Sequence, residues 1–120
     1  MILVDTSVWI DHFRAGNAEL KELLLNEAVL CHPFVIGELA CGNLANRHEI
    51  LALLAELPGA KVLDEGEVLE FIERQRLYGL GIGLVDVHLI ASCLLSHAAL
   101  WTLDKKLKDA AVLKKISYGL

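Results

Sequence analysis

Positive charge is scarce in this chain. Eleven Lys and Arg face sixteen Asp and Glu, a formal charge of -5 over 120 residues. Proteins that track a phosphate backbone usually carry a basic stripe that displaces counterions, so the balance counts at first against a nucleic-acid partner. Cysteine is also sparse. Cys31, Cys41 and Cys93 stand apart in apolar stretches, which argues against a disulfide framework and fits a reducing cytoplasm. Small buried hydrophobes is the simplest use of all three. Two prolines and 22% charged residues against 55% hydrophobic exclude a disordered chain, and the length suits one domain over residues 1–120. No basic segment precedes an apolar one at the N-terminus, so no signal peptide is expected.

Long hydrophobic runs are missing as well. Residues 87–103 lack Asp, Glu, Lys and Arg, but they contain His88, Ser92, Ser96 and His97. A membrane span needs roughly 20 predominantly apolar residues, so this stretch is expected to be a buried helix followed by a strand. Signatures of several enzyme classes are absent too. His12, His32, His48, His88 and His97 show no zinc-helix spacing, and no Gly-x-Ser-x-Gly nucleophile elbow exists. On a helix His88 projects about 200° away from Asp86, so each histidine is read as a surface or core residue. Gly79, Gly81 and Gly83 do not form a dinucleotide fingerprint, and no P-loop lysine follows them. That loop is read as a flexible connector.

What is present is an alternation of short apolar runs and helical patterns. Strands are expected at residues 1–4, 28–31, 61–63 and 99–103, with an edge strand in the last residues. Between them lie helical stripes: 6–13 capped by Thr6-Ser7, 20–24, 33–40 opened by Pro33, 47–57, 65–78, 86–98 capped by Asp86, and 105–111. The alternation indicates an α/β fold of three layers, with a mostly parallel sheet of four to five strands flanked by helices.

Twelve of the sixteen acids sit on polar helix faces, beside cations or in loops, as Glu19, Glu67 and Glu73 do. Four do not. Asp5 ends Ile2-Leu3-Val4, Asp104 ends Leu100-Trp101-Thr102-Leu103, Glu38 lies in Val35-Ile36-Gly37-Glu38-Leu39, and Asp86 in Leu84-Val85-Asp86-Val87. A carboxylate in apolar surroundings must be neutralised, paired or bound to a cation. Arg14, Arg47, Arg74 and Arg76 are the only arginines, and none adjoins these acids. An all-oxygen set suits Mg²⁺ or Mn²⁺. Parallel sheets bind ligands beyond the carboxyl ends of their strands, where Asp5 and Asp104 fall. Carboxylates around such ions are the apparatus of phosphodiester hydrolysis. Singly, Asp86 reads equally as a helix cap and Asp5 as a turn residue. The four together carry the metal reading.

These residues resemble the PIN-domain ribonucleases, specifically the VapC-type toxins of toxin–antitoxin pairs. The motifs are Ile2-Leu3-Val4-Asp5-Thr6-Ser7, Ile36-Gly37-Glu38-Leu39, Asp86-Val87-His88-Leu89-Ile90-Ala91 and Trp101-Thr102-Leu103-Asp104. They occur in order along essentially the whole chain. The resemblance implies that Asp5, Glu38, Asp86 and Asp104 are catalytic and metal-holding. It implies that Thr6 or Ser7, and Thr102, orient a carboxylate or a water on the metal. It further implies a cytoplasmic Mg²⁺- or Mn²⁺-dependent endoribonuclease with an RNA substrate, a homodimer and a cognate antitoxin. Two departures stand out. Lys105 and Lys106 occupy positions after Asp104 where relatives often have another acid, which bears against a second metal. Leu107 replaces a common aromatic.

A receiver-like, Mg²⁺-binding phosphoacceptor domain is the alternative of similar size. It needs an acidic pair after the first strand, where Asp5 has no acidic neighbour, and an acceptor after the third, where Asp64 stands without support. The Leu-rich stretches 20–25 and 50–57 offer apolar surface for a second protomer or an antitoxin helix. Setting the four acids aside leaves 11 cations against 12 anions. The acidity then describes RNA handled through a metal rather than across a broad basic face.

Overall fold

The computed structural model describes residues 1–119. Three short strands run parallel through its centre: β1 (Ile2–Val4), β2 (Val29–Leu30) and β3 (Ala99–Trp101), in the order β2-β1-β3. Ile2 lies opposite Val29 and Ala99, and Leu3 opposite Leu30 and Leu100. The strands are apolar throughout because helices cover both faces, and Leu3, Val4, Val29 and Leu100 are buried.

The sheet is therefore smaller than the four to five strands expected. Residues 61–63 form no ladder. Leu63 is buried in the core, while the Lys61 carbonyl accepts a bond from Ser92 Oγ and is committed to a helix. Pairing beyond the three strands shrinks to single bridges, Cys31 with Gly59 at one edge and Leu100 with Ser117 at the other. The C-terminal edge strand survives only as that second bridge. The last strand also stops early, at Trp101, because Thr102 and Leu103 turn aside to bond Asp5 and Ser7.

Helices α1 (Thr6–Ala15), α2 (Ala18–Leu25), α3 (Pro33–Cys41), α4 (Arg47–Glu56), α5 (Glu65–Gln75), α6 (Leu84–Ser96) and α7 (Lys105–Leu113) surround the sheet. Two caps differ from the expectation. Asp5, not Thr6-Ser7, is the N-cap of α1, because its carboxylate accepts from the Ser7 amide. Gly83, not Asp86, is the N-cap of α6; Asp86 sits one turn inside and its carboxylate reaches back to the Gly83 N–H. Asp64 and Glu67 form a reciprocal capping box on α5.

Helix α6 accounts for the uncharged run. Seven consecutive residues, Val87 to Cys93, are buried, and the helix packs against α5 and β3. A helix that is apolar nearly all round belongs in a core. Among the described residues no helix is long and apolar enough to cross a membrane.

The topology fixes where a site can form. From β1 the chain passes to β2 on one side and later crosses to β3 on the other, so strand order reverses at β1. Asp5 and Thr102 follow the carboxyl ends of the two strands flanking that reversal.

Candidate active site

Asp5 leaves β1 and starts α1, and its amide still donates to Trp101 O at 2.9 Å, extending the ladder with β3. Its carboxylate is buried, at 6% exposure. One oxygen, Oδ2, takes every hydrogen bond: Ser7 Oγ at 2.7 Å, Thr102 Oγ1 at 2.7 Å and the Ser7 amide at 3.4 Å. The hydroxyls are held in turn, since Ser7 Oγ accepts from the Leu103 amide at 3.0 Å and Thr102 Oγ1 from the Asp104 amide at 3.0 Å. A closed network thus ties the end of β1 to the end of β3.

The other three acids repeat the pattern of one engaged oxygen. Thr6 Oγ1 donates to Glu38 Oε1 at 2.6 Å, joining α1 to α3. The Gly83 amide donates to Asp86 Oδ2 at 3.2 Å, and the Leu107 amide to Asp104 Oδ1 at 3.0 Å. Among the described residues the second oxygen of each carboxylate accepts nothing.

The four acids share one electrostatic neighbourhood. The Asp86 carboxyl is raised above its ordinary range, first by burial and then by the charges of Asp5, Asp104 and Glu38; the Gly83 N–H works in the opposite direction. Among the described residues none of the four is ion-paired. The ion pairs among the described residues, Arg74–Glu70 and Lys105–Asp109, lie on exposed helix faces. No three carboxylate, imidazole or thiol groups there are drawn around a common point as a preformed cage. An ion that keeps several waters does not need one. The donor set therefore fits a hard, hydrated divalent cation: four like charges, each with an oxygen to spare, and one of them buried.

Burial corrects part of the sequence argument. Only Asp5 is buried; Asp86 is half-buried, and Glu38 and Asp104 are exposed. Their apolar sequence neighbours point elsewhere, as Val35 and Leu39 enter the core while Glu38 faces out. Desolvation demands a counter-charge at Asp5, and like-charge crowding demands one at the rest. An open cleft of 520 Å³ beside Glu38 is walled by Ile10, Phe13, Arg14, Leu39 and Leu44. Thr6 and Ser7 divide the two roles offered to them, Thr6 on Glu38 and Ser7 on Asp5. Asp64 is occupied in its capping box, at a helix start rather than beside Asp5.

His32 and His88 are core residues, one of the two readings offered for them, but the sequence does not show that they meet. His32, fully buried, is the N-cap of α3: its Nδ1 accepts from the Phe34 amide at 3.0 Å. Phe34 packs edge-on against His88 at 4.6 Å and against His32 at 5.0 Å, with the two imidazoles 6.1 Å apart. Burial, then the neighbouring His88, push His32 down to about 4, and burial lowers His88 as well. The Nε2 of His32 and Nδ1 of His88 are buried without a partner. The one available signal was position, a polar residue directly before Pro33.

Comparison with known proteins agrees with this fold. Residues 2–113 match the PIN domain family. Ribonuclease VapC32 of Mycobacterium tuberculosis, in strains CDC 1551 / Oshkosh and ATCC 25618 / H37Rv, is 51% identical over 111 residues, covering 92% of this chain and 90% of the relative. The chain therefore belongs to the PIN-domain family, in its VapC-type branch.

Proposed function

We propose that this protein is a divalent-metal-dependent endoribonuclease that acts in the cytoplasm as the toxin of a toxin–antitoxin pair. The observation that carries the reading is the shared posture of Asp5, Glu38, Asp86 and Asp104. Each is anchored through one oxygen and free at the other, and none of the four is ion-paired among the described residues. The name of the Mycobacterium relative supports RNA as the substrate.

In this reading the four carboxylates would hold Mg²⁺ or Mn²⁺. The bound ion would supply a water of lowered pKa and shield the charge that develops on the phosphate. The chain's own work is positioning. Ser7 and Thr102 lock the Asp5 carboxylate through Oδ2, which would leave its other oxygen available to an ion without reorganisation. Thr6 does the same for Glu38. The backbone amides of Gly83 and Leu107 fix Asp86 and Asp104 from helix N-termini, whose dipoles favour negative charge. The cleft beside Glu38, with Arg14 on its wall, gives the RNA strand a path past the acids.

The antitoxin and a second protomer belong to the proposal as well. The apolar groove between α1, α2 and α4, lined by Trp9, Phe13, Leu24, Ile50, Leu53 and Leu57, supports docking of a helix. Light scattering on the purified chain should report a dimer, and a clean monomer would count against that part.

For the activity, partner-free protein is incubated with total RNA and Mg²⁺ or Mn²⁺, beside Asp5→Asn and Glu38→Gln. Cleavage by wild type alone, abolished by EDTA, is the expected result. Equal cleavage by all three, or none by wild type, would refute the assignment. Sequencing the fragments then identifies which RNA is cut.

A further inference from the structure

We propose that Lys106 is the cation that receives the RNA phosphate at the mouth of the acid cluster, and that Gly81 is there to seat it. The inference rests on the ribonuclease reading and adds a substrate contact to it.

Lys106 is the second residue of α7, directly behind the Asp104 cap. Its side chain lies across Gly81: a Cβ on that glycine would stand 3.0 Å from Lys106 Cδ, 3.2 Å from Nζ and 3.4 Å from Cε. Gly81 also has φ +76°, a conformation that L side chains rarely adopt. Two residues later the Gly83 amide binds Asp86. Lys106 thus reaches from the first turn of α7 to the loop that feeds α6, the helix whose first turn carries Asp86.

Helix α7 itself gives Lys106 no partner. A cation in the first turn opposes the helix dipole. Asp109 lies three residues on, within the spacing at which helix charges pair, yet it is bonded by Lys105 at 3.1 Å. Among the described residues Lys106 has no acidic partner. It is exposed, uncommitted and laid over a backbone that leaves it room.

Charge supplies the need. Four carboxylates and one divalent ion remain negative, and an RNA phosphate approaching them is repelled unless a further cation meets it. The chain as a whole stands at -5, but five of its eleven cations fall within residues 105–115, beside a single acid, Asp109. Lys106 is the one of these that is drawn toward the loop leading to Asp86.

The test uses a fluorescein-labelled single-stranded RNA and the full chain, with Ca²⁺ in place of Mg²⁺ for binding and Mg²⁺ for turnover. Anisotropy titrations are run from 50 to 300 mM NaCl. Lys106→Met should weaken binding roughly fivefold to tenfold near 0.1 M salt and lower the log–log salt slope by about 0.7, the loss of one single-strand phosphate contact. KM for cleavage should rise in step, Lys106→Arg should restore the slope, and Lys105→Met should leave both unchanged. Thermal melts check that the exposed substitutions fold. A Lys106→Met protein that binds and cleaves as wild type does, or an equal loss in Lys105→Met, overturns the assignment to Lys106. Wild-type protein that neither binds nor cleaves RNA overturns the ribonuclease reading itself.

Discussion

Acid should unfold this protein through His32. Its Nδ1 accepts the Phe34 amide proton, so the neutral ring carries its own proton on Nε2, which is buried without a partner. A second proton must go to Nδ1, where it abolishes the helix cap, sets two donors face to face and places a charge in a fully buried position. The group therefore sits at about 4, against an ordinary value near 6.5. Between those values the unfolded chain binds the proton and the folded chain does not. The stability it contributes is whole above about pH 6.5 and is lost as pH falls toward 4. Linkage gives a loss of about 2 kcal/mol between pH 7 and pH 5, and about 3 kcal/mol by pH 4. Set against the roughly 5–15 kcal/mol that stabilises most domains, this is a large fraction. The measurement is urea unfolding at pH 7 and pH 5 for wild type and His32→Asn, whose amide oxygen can keep the cap but cannot titrate. His88 and Asp86 shift too, with opposite signs, but both are present in each protein and cancel in the difference. The variant should start less stable at pH 7 and lose about 2 kcal/mol less on acidification. Parallel pH profiles for the two proteins would refute the linkage.

Three further outcomes are expected. Asp86→Asn removes one charge from a crowded acid cluster, so metal-free protein should gain about 0.5–2 kcal/mol in unfolding experiments while losing its thermal stabilisation by Mg²⁺. Thr102→Val strips the buried Asp5 carboxylate of a hydroxyl at 2.7 Å and the Asp104 amide of its acceptor. That should cost about 1.5–3 kcal/mol in chemical denaturation and reduce RNA cleavage more than Thr6→Val does. Asp64→Ala breaks the α5 capping box, whose bonds involve none of the four acids, and should lower stability by about 1 kcal/mol with specific activity unchanged.

Much of the fold was legible because strand ends and helix starts coincide with single residues. The uncharged run around α6 read correctly as core, since its polar members, His88 and Ser92, are spaced through an otherwise apolar helix. Residues 61–63 misled because an apolar pair beside a lysine looks alike in a strand and in a connector whose leucine is buried. Which helix a carbonyl bonds is a tertiary matter. The caps were misplaced by a residue or more, since a carboxylate at N-cap and one at N3 leave nearly the same local pattern. Among the acids, Asp5 was correctly read as desolvated, whereas the exposure of Glu38 and Asp104 depends on helix rotation, which flanking leucines do not specify. Lys106 over Gly81, and His32 against His88, were beyond reach because each joins residues far apart in sequence.

Asp5 combines duties that most proteins distribute. It closes β1, caps α1, receives the hydroxyls of Ser7 and Thr102, and offers the remaining oxygen to the proposed site. A substitution there changes folding and chemistry together, so inactivity of an Asp5 variant says little about either alone. Glu38 has only one such tie, from a half-buried threonine, which makes Glu38→Gln the cleaner way to separate a protein that cannot cut from one that cannot fold.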